Sequence, residues 1–313
     1  MSAIRAARIR ALAKINLDLR VIGKRSDGYH ELRTIFQTIS LADSIDISFT
    51  PGRRREIAVD DALGIPDNLV VRAAELAMDA MGCGGSVEMR LNKQIPMGAG
   101  LGGGSSDAAA ILLALPVLAG RVVELPKLLE IAQQLGSDVP FFLLGGRAAA
   151  IGRGTELFPM ADLPARYGLL IAPRIHVSTA EAYGRLGASL TSGLQQNKIE
   201  SFQSRVWGQG CPDTGANDFE GVVFEQYPRL GAIKRELIEA GAAPAMMTGS
   251  GSAIFGLFDD RVSVAHAVEW LEGPDALFRF SVVNRVRYQS LWRRALDKHI
   301  VGRTWPPRSR YAR

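Results

Sequence analysis

Apolar and polar residues alternate near the start of the chain, and this period of two predicts a half-buried β-strand. Lys14 and Asn16 lie on the same face of this strand. Two further strand-like runs, at 35–39 and 44–49, follow a glycine-containing turn at 23–28. Runs of this kind joined by short turns predict an antiparallel sheet in the N-terminal part of the chain.

Longer segments carry apolar residues three and four positions apart, which predicts amphipathic helices. The predicted helices are 68–81, one beginning at Ser105, 125–135, one beginning at the capping-box residue Ser178, one beginning at 217, and 228–240. The pattern between them predicts strands from 87, from 148 and at 167–172, and a hairpin at 247–258. Residues 192–216 are polar and rich in glycine, serine and glutamine, which predicts a loop.

Five glycines lie between Gly98 and Gly104, and the chain then enters an Ala/Leu run with high helix propensity. Glycine permits positive φ and a close approach to a ligand, and a helix N-terminus offers N–H groups to an anion. The segment therefore predicts a phosphate-binding loop, with Ser105, Ser106 and Asp107 as residues that cap the helix. A flexible turn that happens to precede a helix is the alternative.

The sequence that flanks the loop limits which type of phosphate-binding loop it can be. No Gly-Lys-Ser/Thr follows, which excludes a Walker A loop. Gly98, Gly100 and Gly103 satisfy G-x-G-x-x-G, with Glu124 about 20 residues further on, so a nicotinamide-dependent oxidoreductase is an alternative. That match is weak because the preceding segment alternates, whereas a Rossmann strand is continuously apolar. The serine pair at the helix start is better suited to a nucleotide triphosphate with a metal ion.

Composition narrows the class of protein further. The 313 residues are 47% hydrophobic, which describes a soluble chain with material for one large domain or two. No apolar run reaches the roughly 18 residues of a membrane span. Two cysteines without a C-x-x-C motif predict a reducing, cytoplasmic setting, and four scattered histidines argue against a structural zinc.

A nucleic-acid-binding protein is a further alternative, and it is supported only by the net charge of +5 and the high isoelectric point. Arginines at the two ends of the chain carry this charge: Arg5, Arg8, Arg10, Arg303, Arg308, Arg310 and Arg313. The interior has no basic stripe with interleaved aromatic residues, so we expect no nucleic-acid partner.

Three segments together resemble a known family. Residues 95–107 resemble the phosphate loop of the galactokinase, homoserine kinase, mevalonate kinase and phosphomevalonate kinase superfamily. Residues 247–252 resemble its C-terminal glycine motif, and residues 13–17 its N-terminal motif. The segments 27–30 and 135–142 are similar to the branch whose substrate is cytidine diphosphate linked to methylerythritol.

This resemblance, which spans about residues 11–290, implies an α+β fold of two domains with the active site in the cleft between them. The implied domains are an N-terminal ATP-binding domain like ribosomal protein S5 (1–161) and a C-terminal ferredoxin-like α/β sandwich (162–299). A loosely ordered basic tail (300–313) would follow. The expected partner is the small-molecule substrate rather than a membrane, and the expected assembly is a monomer or a homodimer.

The resemblance also implies an ATP- and magnesium-dependent phosphoryl transfer to the 2-hydroxyl of that substrate. Asp138 would be the general base, and Lys14 its cationic neighbour, keeping the aspartate ionised. From composition alone, a helix N-cap is an equally good interpretation of Asp138. For Lys14, a solvent-exposed position on a strand is the usual interpretation. The implied ATP-binding residues, with Ser105 near the metal ion, are Pro96, Met97, Gly98, Ala99, Gly100, Leu101, Gly102, Gly103, Gly104, Ser105 and Ser106.

The substrate would be held by stacking and by hydrogen bonds to the base edge. The implied substrate-binding residues, besides Asp138, are Asn16, Tyr29, His30, Tyr183, Gly249, Ser250 and Gly251. A homoserine or mevalonate type of kinase from the same superfamily is the nearest alternative, and in it Tyr29 and His30 would have no base to bind. A catalytically inactive member that only binds nucleotide is a further alternative.

Overall fold

Two β-sheets with helices packed against them form the fold of the computed structural model, which describes residues 4–189, 192–207, 215–271, 273, 275–302 and 307. The strands of the first sheet are β1 Arg5–Lys24, β2 His30–Pro51, β3 Arg55–Asp61, β4 Gly85–Asn92, β5 Arg147–Gly152 and β6 Glu156–Pro159. β2 pairs antiparallel with β1, β4 and β5, and β3 joins β4 in parallel. β2 therefore organises the N-terminal sheet.

One buried helix fills the core beneath this sheet. The helices here are α1 Leu69–Met81, α2 Gly103–Ala119, α3 Leu125–Leu135 and α4 Val139–Leu144. α2 is buried from Ser106 to Leu118, because its alanines and leucines let α1, α3, α4 and the sheet approach it closely. The predicted helix over 68–81 is confirmed, with Asn68 accepting a hydrogen bond from the Val70 N–H and Gly82 left-handed at φ 58°.

The second sheet is antiparallel throughout, in the order β10–β7–β9–β8. Its strands are β7 Tyr167–Ala172, β8 Ala245–Met247, β9 Ile254–Phe258 and β10 Ala276–Ser281. The helices of this half are α5 Thr179–Ser189, α6 Ser192–Trp207, α7 Phe219–Gln226, α8 Pro228–Glu239 and α9 Arg261–Trp270. β8 and β9 confirm the predicted hairpin. A last helix, α10 Arg285–Leu296, buries Tyr288 and Trp292 in the first core.

Two local predictions were wrong, and one strand was not predicted. The two runs at 35–39 and 44–49 form one strand, β2, because β1 stays paired with it across a register shift between Leu12 and Lys14. β3 was not predicted. Ser105, Ser106 and Asp107 lie inside α2 rather than capping it, since the N-cap is Gly102.

The predicted loop over 192–216 is wrong over residues 192–207, which form α6, whereas residues 215 and 216 have no regular structure. Phe202 buries its side chain in a hydrophobic cluster, and Lys198 pairs with Asp218 at 2.6 Å. One buried aromatic residue and an ion pair thus hold a helix whose overall composition is polar. Residues 208–214 of that prediction, including Cys211, and 303–306 and 308–313 of the predicted tail lie outside the described residues.

Candidate active site

Two neighbouring cavities share the glycine loop as a wall. A cavity of about 440 Å³ is lined by the loop on one side, and we call it the nucleotide cavity. A cavity of about 890 Å³, which we call the substrate cavity, lies against the other side. Gly98, Gly100 and Gly102 line both. Groups bound in the two cavities would therefore meet at this loop.

The shape of the loop depends on contact between the two glycine segments. Gly100 has φ 78°, and a Cβ on it would stand 2.1 Å from the Thr248 carbonyl oxygen and 3.3 Å from the Gly249 Cα. The Lys14 backbone N–H donates to the Leu101 carbonyl at 3.0 Å, which fixes the loop to β1. Only glycine at position 100 lets the two glycine turns approach this closely.

Ten of the eleven predicted ATP-binding residues, 96–105, line the nucleotide cavity, and they include the N-terminus of α2. No side chain caps that helix, so its first N–H groups are available to an anion. Ser106 is the exception: it is buried and its hydroxyl donates to the Leu12 carbonyl at 2.7 Å. Its side chain therefore ties α2 to β1.

A buried cation joins two carboxylates beside the nucleotide cavity. The Lys93 ammonium contacts Asp43 and lies 2.6 Å from Asp107. Burial raises the pKa of Asp107 to about 7, although the charge of Lys93 opposes the rise. Asp107 Oδ1 is buried and has no hydrogen-bond partner among the described residues, and Asp107 lines the cavity. An oxygen ligand is thus available beside the loop.

The predicted catalytic pair meets in the substrate cavity. Lys14 Nζ lies 3.5 Å from Asp138 Oδ2; the Lys14 side chain is buried and that of Asp138 is 33% exposed. Burial lowers the pKa of Lys14, and the neighbouring Asp138 carboxylate opposes this. Asp138 precedes α4 but makes no capping hydrogen bond with its side chain. Its carboxylate is therefore available to the cavity.

Asn16 links this pair to the second glycine turn. Its Oδ1 accepts hydrogen bonds from Lys14 Nζ at 2.7 Å and from the Gly249 N–H at 2.9 Å. Its Nδ2 donates to the Thr34 hydroxyl at 2.8 Å, and the residue is buried. Asn16 thus fixes the position of Lys14 from the cavity wall.

Aromatic side chains form another part of the substrate cavity wall. His30 stacks on Tyr183, with ring centroids 4.5 Å apart and an interplanar angle of 24°. Phe219 packs edge-on against Tyr183 at 4.8 Å. Burial, and then the charge of Asp138, raises the pKa of Tyr183 to about 12. Tyr29 is 52% exposed. This wall offers ring faces to a planar ligand.

The structure places every predicted substrate-binding residue on this one cavity. They are Asn16, Tyr29, His30, Asp138, Tyr183, Gly249, Ser250 and Gly251. Sequence reasoning missed Arg153, Thr179 and Lys93, which lie on the two cavities. Thr179 Oγ1 lies 2.8 Å from Ser250 Oγ, but nothing in its local sequence distinguishes it from any helix-start threonine. Only the fold marks these residues.

The described residues contain neither a membrane-spanning helix nor a metal-binding cluster of side chains. None of the helices in that part of the chain is long and apolar enough to cross a membrane. Nor does any group of three or more His, Cys, Asp or Glu side chains lie in position to hold a metal ion there.

Comparisons with known proteins agree with this geometry. Residues 68–146 match the GHMP kinases N terminal domain, and residues 200–271 match GHMP kinases C terminal. A 4-diphosphocytidyl-2-C-methyl-D-erythritol kinase of Solibacter usitatus (strain Ellin6076) is 64% identical over 99% of both chains. One from Pelotomaculum thermopropionicum (strain DSM 13744 / JCM 10971 / SI) is 43% identical over 80% of this chain and 88% of its own.

Solved structures give the same result for the fold. A crystal structure of 4-(cytidine 5'-diphospho)-2C-methyl-D-erythritol kinase superposes with a TM-score of 0.73 at 36% identity, covering 88% of this chain and 98% of the other. A mevalonate kinase structure reaches a TM-score of 0.62 at 13% identity, over 90% of this chain and 100% of the other, a likeness of fold alone. The predicted two-domain α+β kinase fold is confirmed.

Proposed function

The chain belongs to the GHMP kinases, and we propose that Lys14 and Asp138 are its catalytic residues. The reaction transfers the γ-phosphoryl group of ATP to the 2-hydroxyl of 4-diphosphocytidyl-2-C-methyl-D-erythritol. One observation supports this assignment of residues above the others. The Lys14–Asp138 pair and the rings of Tyr29, His30 and Tyr183 line a single cavity, which meets the nucleotide cavity at the glycine loop.

In the proposed reaction the substrate hydroxyl oxygen attacks the γ-phosphorus, and the bond from phosphorus to the β–γ bridging oxygen of ATP breaks. The hydroxyl proton passes to the Asp138 carboxylate, and ADP leaves with the electron pair. Lys14, oriented by Asn16, stabilises the negative charge that spreads over the transferred group. The N–H groups at the start of α2 bind the ATP phosphates.

Magnesium fits the oxygen atoms beside the loop. Mg²⁺ is usually bound by one or two carboxylates and by substrate phosphates, and it keeps several waters. Ser105 and Asp107 line the nucleotide cavity, and a buried oxygen of Asp107 has no hydrogen-bond partner in the part of the chain that the structure describes. We assign these two residues as the protein ligands, where the ion would neutralise phosphate charge.

The base of the substrate binds at the aromatic wall. Tyr29 offers an exposed ring for stacking, and Tyr183 holds His30 in place by its own stacking contact. Burial, followed by the charge of Lys24, lowers the pKa of His30. A neutral imidazole has one donor and one acceptor nitrogen, which can pair with the polar edge of cytosine.

ADP release tests the activity directly. With ATP and Mg²⁺, we expect saturable ADP release that requires 4-diphosphocytidyl-2-C-methyl-D-erythritol and is inhibited competitively by CDP. Homoserine and mevalonate serve as the matched acceptors, and we expect neither to support turnover. Turnover on either of them without CDP inhibition would instead establish another kinase of the family.

The pH dependence of kcat tests the role of Lys14. Because burial lowers the pKa of Lys14, this residue loses its proton at a lower pH than an exposed lysine does. The plot of kcat against pH should therefore have an alkaline limb, in which kcat falls as Lys14 loses its proton. In Lys14→Arg the residual activity should lack the limb, since a guanidinium stays protonated. Lys127→Arg, on an exposed lysine paired with Glu130, should keep it. An unchanged limb in Lys14→Arg would rule Lys14 out as its source.

A further inference from the structure

Arg153 is held on the substrate cavity wall by a tight turn between β5 and β6. Gly152 and Gly154 flank it with φ values of 69° and 87°, and the Gly154 N–H donates to the Ile151 carbonyl at 3.1 Å. Gly152 pairs with Leu32 near the start of β2. The turn therefore places Arg153 beside the aromatic residues that precede β2.

The Arg153 guanidinium lies over one of those aromatic rings. Its Cζ is 3.4 Å from the centroid of the Tyr29 ring. A guanidinium that stacks by its face directs its N–H donors outward in its own plane. Stacking on Tyr29 therefore fixes the cation without using its hydrogen-bonding capacity.

One of those donors lacks an acceptor in the described part of the chain. Arg153 Nε is buried and has no hydrogen-bond partner. The other charged groups nearby are accounted for: Lys14 is paired with Asp138, Arg25 is paired with Asp27 and Glu31, and Lys24 is exposed to water. Although desolvation opposes the shift, the Tyr29 N–H, Arg25 and the charge of Arg153 together lower the pKa of Asp27, which accepts hydrogen bonds from the first two of these groups. A buried N–H donor without an acceptor is costly, so the position of Arg153 Nε favours a ligand that supplies one.

We propose that Arg153 binds the diphosphate of the cytidine-diphosphate-linked substrate while it is stacked on Tyr29. This assignment rests on the proposed function. The fork of guanidinium N–H groups matches two oxygens of a phosphate, and such charge-assisted bidentate pairs are the strong ones. A base stacked on Tyr29 carries its diphosphate on the attached ribose, so one wall supplies both contacts.

Inhibition by cytidine and by CDP separates a phosphate contact from mere support of the Tyr29 ring. In Arg153→Gln we expect the Ki of CDP and the KM of the substrate to rise about tenfold, because a charge-assisted pair is lost. The Ki of cytidine should stay within about twofold, because that ligand has no phosphate. The KM for ATP should not change. Arg153→Lys keeps the charge without the fork and should lie between wild type and Arg153→Gln.

Two other outcomes of the inhibition experiment would contradict the proposal. Equal losses for cytidine and CDP, as expected for Tyr29→Ala, would mean that Arg153 only supports the ring and would overturn the proposal. Unchanged inhibition by both would overturn it too, provided that the thermal midpoint shows a folded variant. Arg90→Gln, which removes an equal charge from an exposed ion pair with Asp60, should alter neither constant.

The wild type alone reports on the proposed function. Turnover and CDP competition in the wild type, together with an unaltered Arg153→Gln, would remove this assignment and keep the kinase activity. Absence of turnover with this substrate in the wild type would overturn the proposed function and the assignment that rests on it.

Discussion

Replacement of Asp138 by asparagine is expected to lower kcat by about 10³-fold, the usual contribution of a positioned general base. The amide keeps the shape of the side chain and an oxygen for Lys14, 3.5 Å away in the wild type, but it cannot accept the hydroxyl proton. The KM for ATP should change little, because Asp138 lines the substrate cavity and not the nucleotide cavity. Steady-state ADP release with both substrates varied measures these effects.

The stability of this variant separates catalysis from folding. The Asp138 side chain makes no capping hydrogen bond to α4, so the thermal midpoint should stay close to that of the wild type. Asp46→Asn is the matched control, because Asp46 is exposed and paired with Arg8 on the outer sheet face. A kcat within about tenfold of the wild type would be too small a loss for a general base and would exclude Asp138 from that role.

Replacement of Gly100 by alanine is expected to lower the free energy of unfolding by about 2–4 kcal/mol and kcat by about 10²-fold. The new Cβ would stand 2.1 Å from the Thr248 carbonyl oxygen, so the two glycine turns must move apart. The positive φ of 78° adds backbone strain for any residue with a side chain. Because Gly100 lines both cavities, the displacement also moves the donor relative to the acceptor.

Gly241→Ala isolates the backbone strain from the steric clash. Gly241 has a similar φ of 90°, but a Cβ there meets no atom within 4 Å. We expect it to cost about 1–2 kcal/mol, with kcat unchanged. Urea unfolding measures both variants. Equal stability losses at the two positions would show that the contact with Thr248 does not constrain the loop.

The sequence by itself determined the features whose physics is local. A dense run of glycines followed by a helix-forming segment predicts an anion site whatever the remainder of the fold, because φ preference and free N–H groups belong to neighbouring residues. The alternation around Lys14 and Asn16 likewise placed both side chains on one strand face, and the structure keeps them hydrogen-bonded at 2.7 Å. Family motifs then indicated which aspartate faces Lys14.

Tertiary structure decided what depends on contacts between distant segments. The polar segment of α6 becomes a helix because Phe202 finds a core and Lys198 finds Asp218. Arg153, in a glycine-flanked turn, lies on Tyr29 because β5 pairs with β2. A periodic pattern reports which face of an element is buried, but not which partner buries it. The glycine motifs could therefore be read from the chain, whereas the cavities around them exist only once the two sheets have folded together.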